Sequence, residues 1–542
     1  FNIMIIESKL VDIHTDEIYP VRVTVNVNKI QIIERLNRPA DGFLIPGLID
    51  SHIHIESSMV TPSSFAEQAV SRGTTSVVSD PHEIANVLGI DGVSFMMKNA
   101  EIVPLKFWFG APSCVPATKF ESTGGIIDQS DIEELLSNEK IKFLAEMMNF
   151  PGVINDDTEV HNKLRAALKA GKPIDGHAPG LTGNDLKKYV ESGISTDHEC
   201  TSLREALEKI ELGMKILIRE GSAARNLSEL KSLISTHPDM VMLCSDDLHP
   251  ETLMGGHIDR LIIELLKEGF DLFKVIRSCT LNPVKHYSLD AGLLRAGDPA
   301  DFVILSNYLN MDILETWIDG KKVFEKGRTL FTYSCNNVVN NFKSSVITED
   351  QLKVKNEGNR IRVIGVSDGS LLTKELIFNS GKEEFVESDN LNDILKIVVK
   401  DRYNDAPPAI AFVKGFGLKT GAFASSVAHD SHNIICVGTN DKDIVSAING
   451  IVGTKGGLSV SDNNSVDLLP LPFAGLMSDM PVKNVAAEYE RLTSKVRSMG
   501  SNLSAPFMTL SFMALLVIPQ LKLSDKGLFD SGKFNFVPLF KE

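Results

Sequence analysis

At 542 residues the chain is too long for one hydrophobic core, so two or three domains are expected. Hydrophobic residues at 43% and charged residues at 23% are the balance of a soluble globular protein. The 55 Lys and Arg against 71 Asp and Glu leave a net charge of −16, which excludes a domain-wide basic field for a nucleic-acid backbone.

Residues 1 to 44 read as short strands, with Val21 to Val27 alternating at period two. From residue 45 to 287, short apolar runs alternate with helical patterns, the sign of βαβ units. Eight strands are expected, near 45–53, 75–79, 105–111, 141–148, 173–177, 194–198, 214–219 and 240–245. Eight strands in this length fit a TIM-type barrel. A doubly wound open sheet is the alternative, but no GxGxxG follows the first strand. Residues 288 to 335 return to a β pattern, with a hairpin signal at Asp319-Gly320.

The expected fold is therefore α/β. A (β/α)8 TIM-type barrel (45–287) carries a small flanking β-sandwich domain built from both its flanks (1–44 plus 288–335). A separate C-terminal α/β domain (340–542) follows the polar stretch Ser334 to Ser345. The most apolar stretch, Phe507 to Ile518, is too short to span a membrane and is expected to be a buried helix or strand. The six cysteines are scattered without a CxxC pair, and no secretory leader is visible. Both point to a reducing, cytoplasmic setting. The chain opens on Phe1 rather than Met, which leaves room for residues before it.

In a barrel enzyme the site forms at the C-terminal ends of the strands. The first apolar run closes with His52-Ile53-His54, whose imidazoles, two residues apart, point the same way. The fourth closes with Glu146, the fifth with His177, the sixth with His198 and the eighth with Asp246-Asp247. One such histidine is usually a satisfied polar residue; the ordered set of four His, one Glu and one Asp is a donor set for two divalent cations. His14, His161, His237 and His286 read as surface or structural. Asp247 reads as a hydrogen-bond acceptor for a ligand histidine. The second run ends at Asp80-Pro81-His82-Glu83, which puts two carboxyls near the mouth, unless Asp80-Pro81 is only a turn and Glu83 a first-turn charge. Gly453-Thr454-Lys455-Gly456-Gly457 lacks the spacing of a phosphate loop and reads as a turn.

The run Pro46-Gly47-Leu48-Ile49-Asp50-Ser51-His52-Ile53-His54 resembles the first-strand motif of the amidohydrolase superfamily. Asn282-Pro283, Gly292-Leu293 and Gly297 to Phe302 are similar to that superfamily's exit from the barrel. More narrowly, the chain looks like the adenine deaminase family. The matching pieces are His54 to Met59, Asp80 to Val87, Ala145 to Asn149, Asp175 to Pro179 and Ala428 to Asn433.

The resemblance implies hydrolytic deamination of adenine to hypoxanthine and ammonia, by a hydroxide held between two metals that attacks C6. It implies that His52, His54 and Asp246 hold one ion and His177 and His198 the other, with Glu146 bridging. The ions expected are Mn(II) or Fe(II), with Zn(II) also accepted by these donors. Asp246 is expected to shuttle the proton and Glu83, kept protonated by burial, to donate to a ring nitrogen. Asp80, Glu56 and His82 are further substrate contacts in this reading. His429 and His432 are a C-terminal contribution with three readings: closing the barrel mouth, holding an additional ion, or forming a turn of their own domain. A small-molecule substrate, no nucleic acid, no membrane and a homodimer complete the expectation. Lysine-bridged cyclic-amide hydrolases are the competing enzymes, and Glu146 stands where they carry a carboxylated lysine. A non-catalytic scaffold on the same fold would have lost this donor set.

Overall fold

In the computed structural model, residues 3–222, 224–335, 337–463 and 465–541 are described. By their mutual contacts the described residues divide between two compact stretches of chain. The first comprises Phe1–His82, Ser94–Cys114 and Ile127–Cys335, the second Glu83–Val93, Val115–Ile126 and Asn336–Glu542.

The first unit contains the eight parallel strands expected from the apolar runs: Leu48–Ile53, Thr74–Ser79, Lys106–Ala111, Ile141–Met147, Ile174–Gly176, Thr196–Asp197, Lys215–Arg219 and Val241–Cys244. Five pair in sequence order and three more pair likewise. Parallel bridges Ile174↔Ile194 and Ile53↔Asp246 join the two sets into a closed barrel. The strands Leu48–Ile53, Thr74–Ser79 and Val241–Cys244 are buried on both faces, as a barrel with an outer helical ring requires.

The helices between strands are amphipathic. Thr158–Lys169, for example, starts at an Asp157 cap that accepts from the amides of Glu159 and Val160, and buries Val160, Leu164 and Ala167. Closure is reinforced by Asp50, whose Oδ1 accepts the amides of His52 (3.2 Å) and Ser245 (3.0 Å). Its Oδ2 faces His257 Nε2 at 2.7 Å.

The flanking β layer is one eight-stranded sheet. The strands Ile3–Asp12, Glu17–Asn26, Lys29–Arg35 and Phe43–Pro46 join Phe302–Leu305, Ile313–Ile318, Lys321–Glu325 and Arg328–Thr329. The Asp319-Gly320 turn has φ of 48° and 71°, the left-handed pair that suits a two-residue hairpin. Asp301 fastens this layer to the barrel: Lys106 of the third strand lies 2.7 Å from its Oδ2, and the amides of Gly292 and Asp319 donate to it.

The second unit is built on a nine-stranded mixed sheet, most of it antiparallel, with the helix Asp441–Thr454 on one face. The helix Val482–Ser498 and a short three-stranded sheet complete it. The apolar stretch at 507–518 opens inside the short buried helix Pro506–Phe512. No helix among the described residues is long and apolar enough to cross a membrane.

Candidate metal centre

The barrel gathers His52, His54, Asp80, His82, Glu146, His198 and Asp246 into one buried cluster, with His177 and Glu199 on its more exposed side. His52 and Asp246 become neighbours because the first and eighth strands adjoin. The amide of Asp246 donates to the His52 carbonyl (2.9 Å), and that of His54 donates to the Asp246 carbonyl (3.4 Å). Asp246 adopts φ 57°, a left-handed conformation that Asp tolerates better than most residues, where it leaves the strand.

His54 Nε2 lies 3.3 Å from both Asp246 Oδ1 and Glu146 Oε1, and His52 Nε2 lies 3.4 Å from Asp246 Oδ1. The other oxygen of Glu146 faces the opposite pair, His177 Nδ1 at 2.8 Å and His198 Nε2 at 3.0 Å. A carboxylate presenting one oxygen to each set of imidazoles has the geometry of a bridge.

Neighbouring strands fix these groups. Tyr189 accepts the His177 amide (3.0 Å) and donates to the Met147 carbonyl (2.8 Å), tying the fifth strand's end to the fourth. Asn226 donates to the carbonyls of His198 (3.2 Å) and Cys200 (3.1 Å) while accepting the Arg219 amide (2.8 Å), tying the sixth to the seventh.

Two observations test the cluster as a cation site. His54 Nδ1 lies 3.0 Å from the Asp80 carbonyl, which only accepts. Nδ1 therefore carries a proton, which leaves Nε2, 3.3 Å from both Glu146 and Asp246, as the ring nitrogen a cation would take. His52 is 1% exposed, yet neither of its ring nitrogens has a hydrogen-bond partner among the described residues. A buried, unsatisfied imidazole costs free energy unless something outside the protein occupies it. The donor set of imidazoles and carboxylates therefore fits divalent cations.

Electrostatics agree. Burial alone would raise the Glu146 carboxyl, but His198 and His177 hold it well below the ordinary range. Burial likewise works against ionised Asp246, and the Arg219 guanidinium beside it holds the carboxyl well below the ordinary range.

Reading the strand ends from sequence missed Arg219 and Glu199. Arg219 closes the seventh strand; its Nη1 lies 2.6 Å from Asp246 Oδ2, and its Nη2 lies 3.0 Å from Glu199 Oε2. Glu199 Oε1 is 3.4 Å from His198 and 3.6 Å from His177. Both were findable, since they end or follow strands. His257, also unread, bonds Thr74 and Asp50 as a structural strut.

His82, expected beside a substrate, lies 3.4 Å from Glu146 Oε1 and 3.1 Å from Asp80 Oδ2, among the metal-type donors. Asp247 Oδ1 accepts the Ser57 hydroxyl at 2.6 Å rather than a ligand histidine. Glu56 is buried in the turn Ile55–Ser58. His14 and His161 bond backbone carbonyls, and burial pushes His286 down to about 4.

The second unit holds its own cluster, Glu83 with His429 and His432, all buried. Glu83 is the residue after His82 in the chain. His429 Nδ1 lies 2.7 Å from Glu83 Oε1, and His432 Nε2 makes a short bond to Oε2.

Residues 43–323 match the amidohydrolase family, and residues 370–535 match the adenine deaminase C-terminal domain. An adenine deaminase from Methanosarcina mazei is 50% identical over 534 residues, 96% of each chain. The chain belongs to the adenine deaminase family. Within that family, the relative from Sulfurovum sp. is 50% identical over 98% of this chain and 99% of its own. The adenine deaminase of Borreliella burgdorferi is 45% identical over 98% and 99%. A solved β-aspartyl dipeptidase from Fervidobacterium islandicum is similar over 60% of this chain and 98% of that one, at 16% identity and a TM-score of 0.47. Membership of the amidohydrolase family implies divalent-metal binding, for which the barrel cluster has the donors.

Proposed function

We propose that the chain catalyses hydrolytic deamination of adenine, in which adenine and water give hypoxanthine and ammonia, a purine-salvage reaction. Relatives named adenine deaminase along nearly the whole chain support the substrate. The observation that carries the chemistry is Glu146, whose two oxygens face two separate sets of imidazoles.

In this reading His52, His54 and Asp246 would hold one divalent ion and His177 and His198 the other, with Glu146 serving both. Mn(II) or Fe(II) are the ions of choice, with Zn(II) chemically acceptable. When bound, the ions acidify water and so supply the nucleophile that attacks C6.

Asp246 would accept the water's proton and pass it to the leaving amine. Arg219 Nη1 donates to its Oδ2 at 2.6 Å and holds the carboxylate in place. Asp80, whose oxygens take the amide and ring of His82, orients the purine side of the site together with His82 and Glu56. Glu83, next in the chain, is the acid that donates to a ring nitrogen. The six free cysteines support a reducing, cytoplasmic setting, and the proposal extends to a homodimer. The division into a β layer (1–44 plus 288–335), a barrel (45–287) and a C-terminal domain (340–542) belongs to the same proposal.

A cyclic-amide hydrolase is the competing enzyme, and it needs a lysine bridge. Lys142, the nearest lysine in sequence, has its Nζ over the Trp108 ring at 5.4 Å instead.

The test is anaerobic loading with Mn(II) or Fe(II), followed by adenine conversion read from ultraviolet absorbance. Hypoxanthine should form, chelation should abolish turnover, and added Mn(II) should restore it. No hypoxanthine, or turnover indifferent to chelation, overturns the proposal.

A further inference from the structure

Glu83, His429 and His432 have the composition of a third cation site, two imidazoles and a carboxylate with their donor atoms close together. The protonation pattern of His432 argues otherwise. The Ala428 amide donates to His432 Nδ1 at 3.1 Å, so Nδ1 is a bare acceptor. A neutral imidazole with a bare Nδ1 carries its proton on Nε2. Nε2 is the atom that faces Glu83 Oε2. It therefore offers an N–H, and no lone pair for a metal. His54 in the barrel differs at the same atom, its Nδ1 facing the Asp80 carbonyl and so carrying a proton.

The segment that sets this tautomer is firmly held. The His432 amide returns a bond to the Ala428 carbonyl (2.7 Å). The fully buried Arg402 donates to the carbonyls of His432 (3.3 Å) and Ala474 (2.8 Å). Tyr403 donates to the Ser431 carbonyl (2.5 Å), and Asn433 donates to the Ser122 carbonyl (2.9 Å). The His429 ring stacks on Phe512 with centroids 4.9 Å apart. A side chain gripped this way aims its donor without rotamer freedom.

We infer that His429 and His432 are positioning residues that cradle the two carboxylate oxygens of Glu83, with His432 a fixed hydrogen-bond donor and not a metal ligand. His432 anchors Oε2, so any proton that Glu83 carries sits on Oε1, the oxygen shared with His429. The C-terminal domain thereby supplies the groups that orient Glu83. The effect on turnover rests on the adenine deaminase reading; the tautomer and the metal content do not.

The test uses the full-length chain. In the Zn(II)-loaded protein labelled with 15N-histidine, His432 should show an unprotonated Nδ1 and a protonated Nε2, assigned by loss of its signals in His432→Gln. His432→Gln puts an amide donor where Nε2 was, and His432→Leu removes the donor. Both should hold as many ions per chain as the wild type. kcat for adenine should fall about tenfold to a hundredfold in His432→Leu, with KM nearly unchanged, and recover to within a few-fold in His432→Gln. A protonated Nδ1, one ion fewer per chain in His432→Gln, or wild-type kcat in His432→Leu overturns the inference. A wild-type chain that turns over no adenine sinks the proposed function, and the imidazole spectrum and ion count then decide the cradle alone.

Discussion

Arg219 donates to Asp246 Oδ2 through Nη1 and to Glu199 Oε2 through Nη2, so one guanidinium offsets two carboxylates, the buried Asp246 and the half-buried Glu199. Without it, Asp246 loses a charge-assisted bond and gains an uncompensated neighbour, Glu199. Bonds of this kind contribute roughly 1.5–3 kcal/mol, and leaving a buried charge unpaired costs more. Arg219→Met should therefore lower kcat/KM for adenine by about 30-fold or more, read from initial rates at saturating metal. Activity within threefold of wild type would show that Asp246 does not depend on this contact. Arg219→Lys should recover only part of the loss, because an ammonium cannot serve both carboxylates with a fork.

Among elements, the fifth and sixth barrel strands are short, Ile174–Gly176 and Thr196–Asp197, and they present His177 and His198. Their approach is close at Gly176, where an added Cβ would lie 2.3 Å from the Thr196 carbonyl oxygen and 2.8 Å from Ile194. Backbone cannot step aside as a flexible side chain can. Gly176→Ala should destabilise the protein by about 2–3 kcal/mol and weaken metal retention, because the strand ends carrying both histidines must separate. Calorimetry and metal analysis of the purified variant check this, and an unchanged Tm would contradict it. Asp197 shows how the same strand end is secured from behind. Burial alone would raise its carboxyl, but Lys209 at 3.0 Å brings it down to about 2.

For the molecule as a whole, stability should carry a pH signature from Lys522. Its side chain is fully buried in the second unit and donates to the Leu371 (2.9 Å) and Phe512 (3.1 Å) carbonyls. Burial lowers its ammonium from 10.5 to about 7. Below that value both folded and unfolded chains carry the proton, and the desolvation cost is present in full. Between about 7 and the unfolded value the unfolded chain binds more protons, so stability rises with pH, by about 1.4 kcal/mol per unit. Lys522→Met should remove this rise, making the variant more stable than wild type at pH 7 by a margin that shrinks toward pH 10. Chemical denaturation at pH 7 and 9 measures the difference; parallel pH profiles for the two proteins would refute it.

The sequence by itself determined the barrel and the imidazole and carboxylate set. Each apolar run marks a strand, and each strand's closing residue lies on the face where parallel strands end. That is why His52, His54, Glu146, His177, His198 and Asp246 were legible in order, and why Asp319-Gly320 announced its turn. Three things depended on contacts far apart in the chain, and only the tertiary structure decided them. Arg219 and Glu199 matter through the Asp246 and His177 they reach, which periodicity does not encode. His82 stands among metal-type donors because Glu146, more than sixty residues on, comes within 3.4 Å of it. The choice between a third ion and a carboxylate cradle for His429 and His432 came from the Ala428 amide, since a backbone N–H aimed at one ring nitrogen sets where the other nitrogen's proton lies.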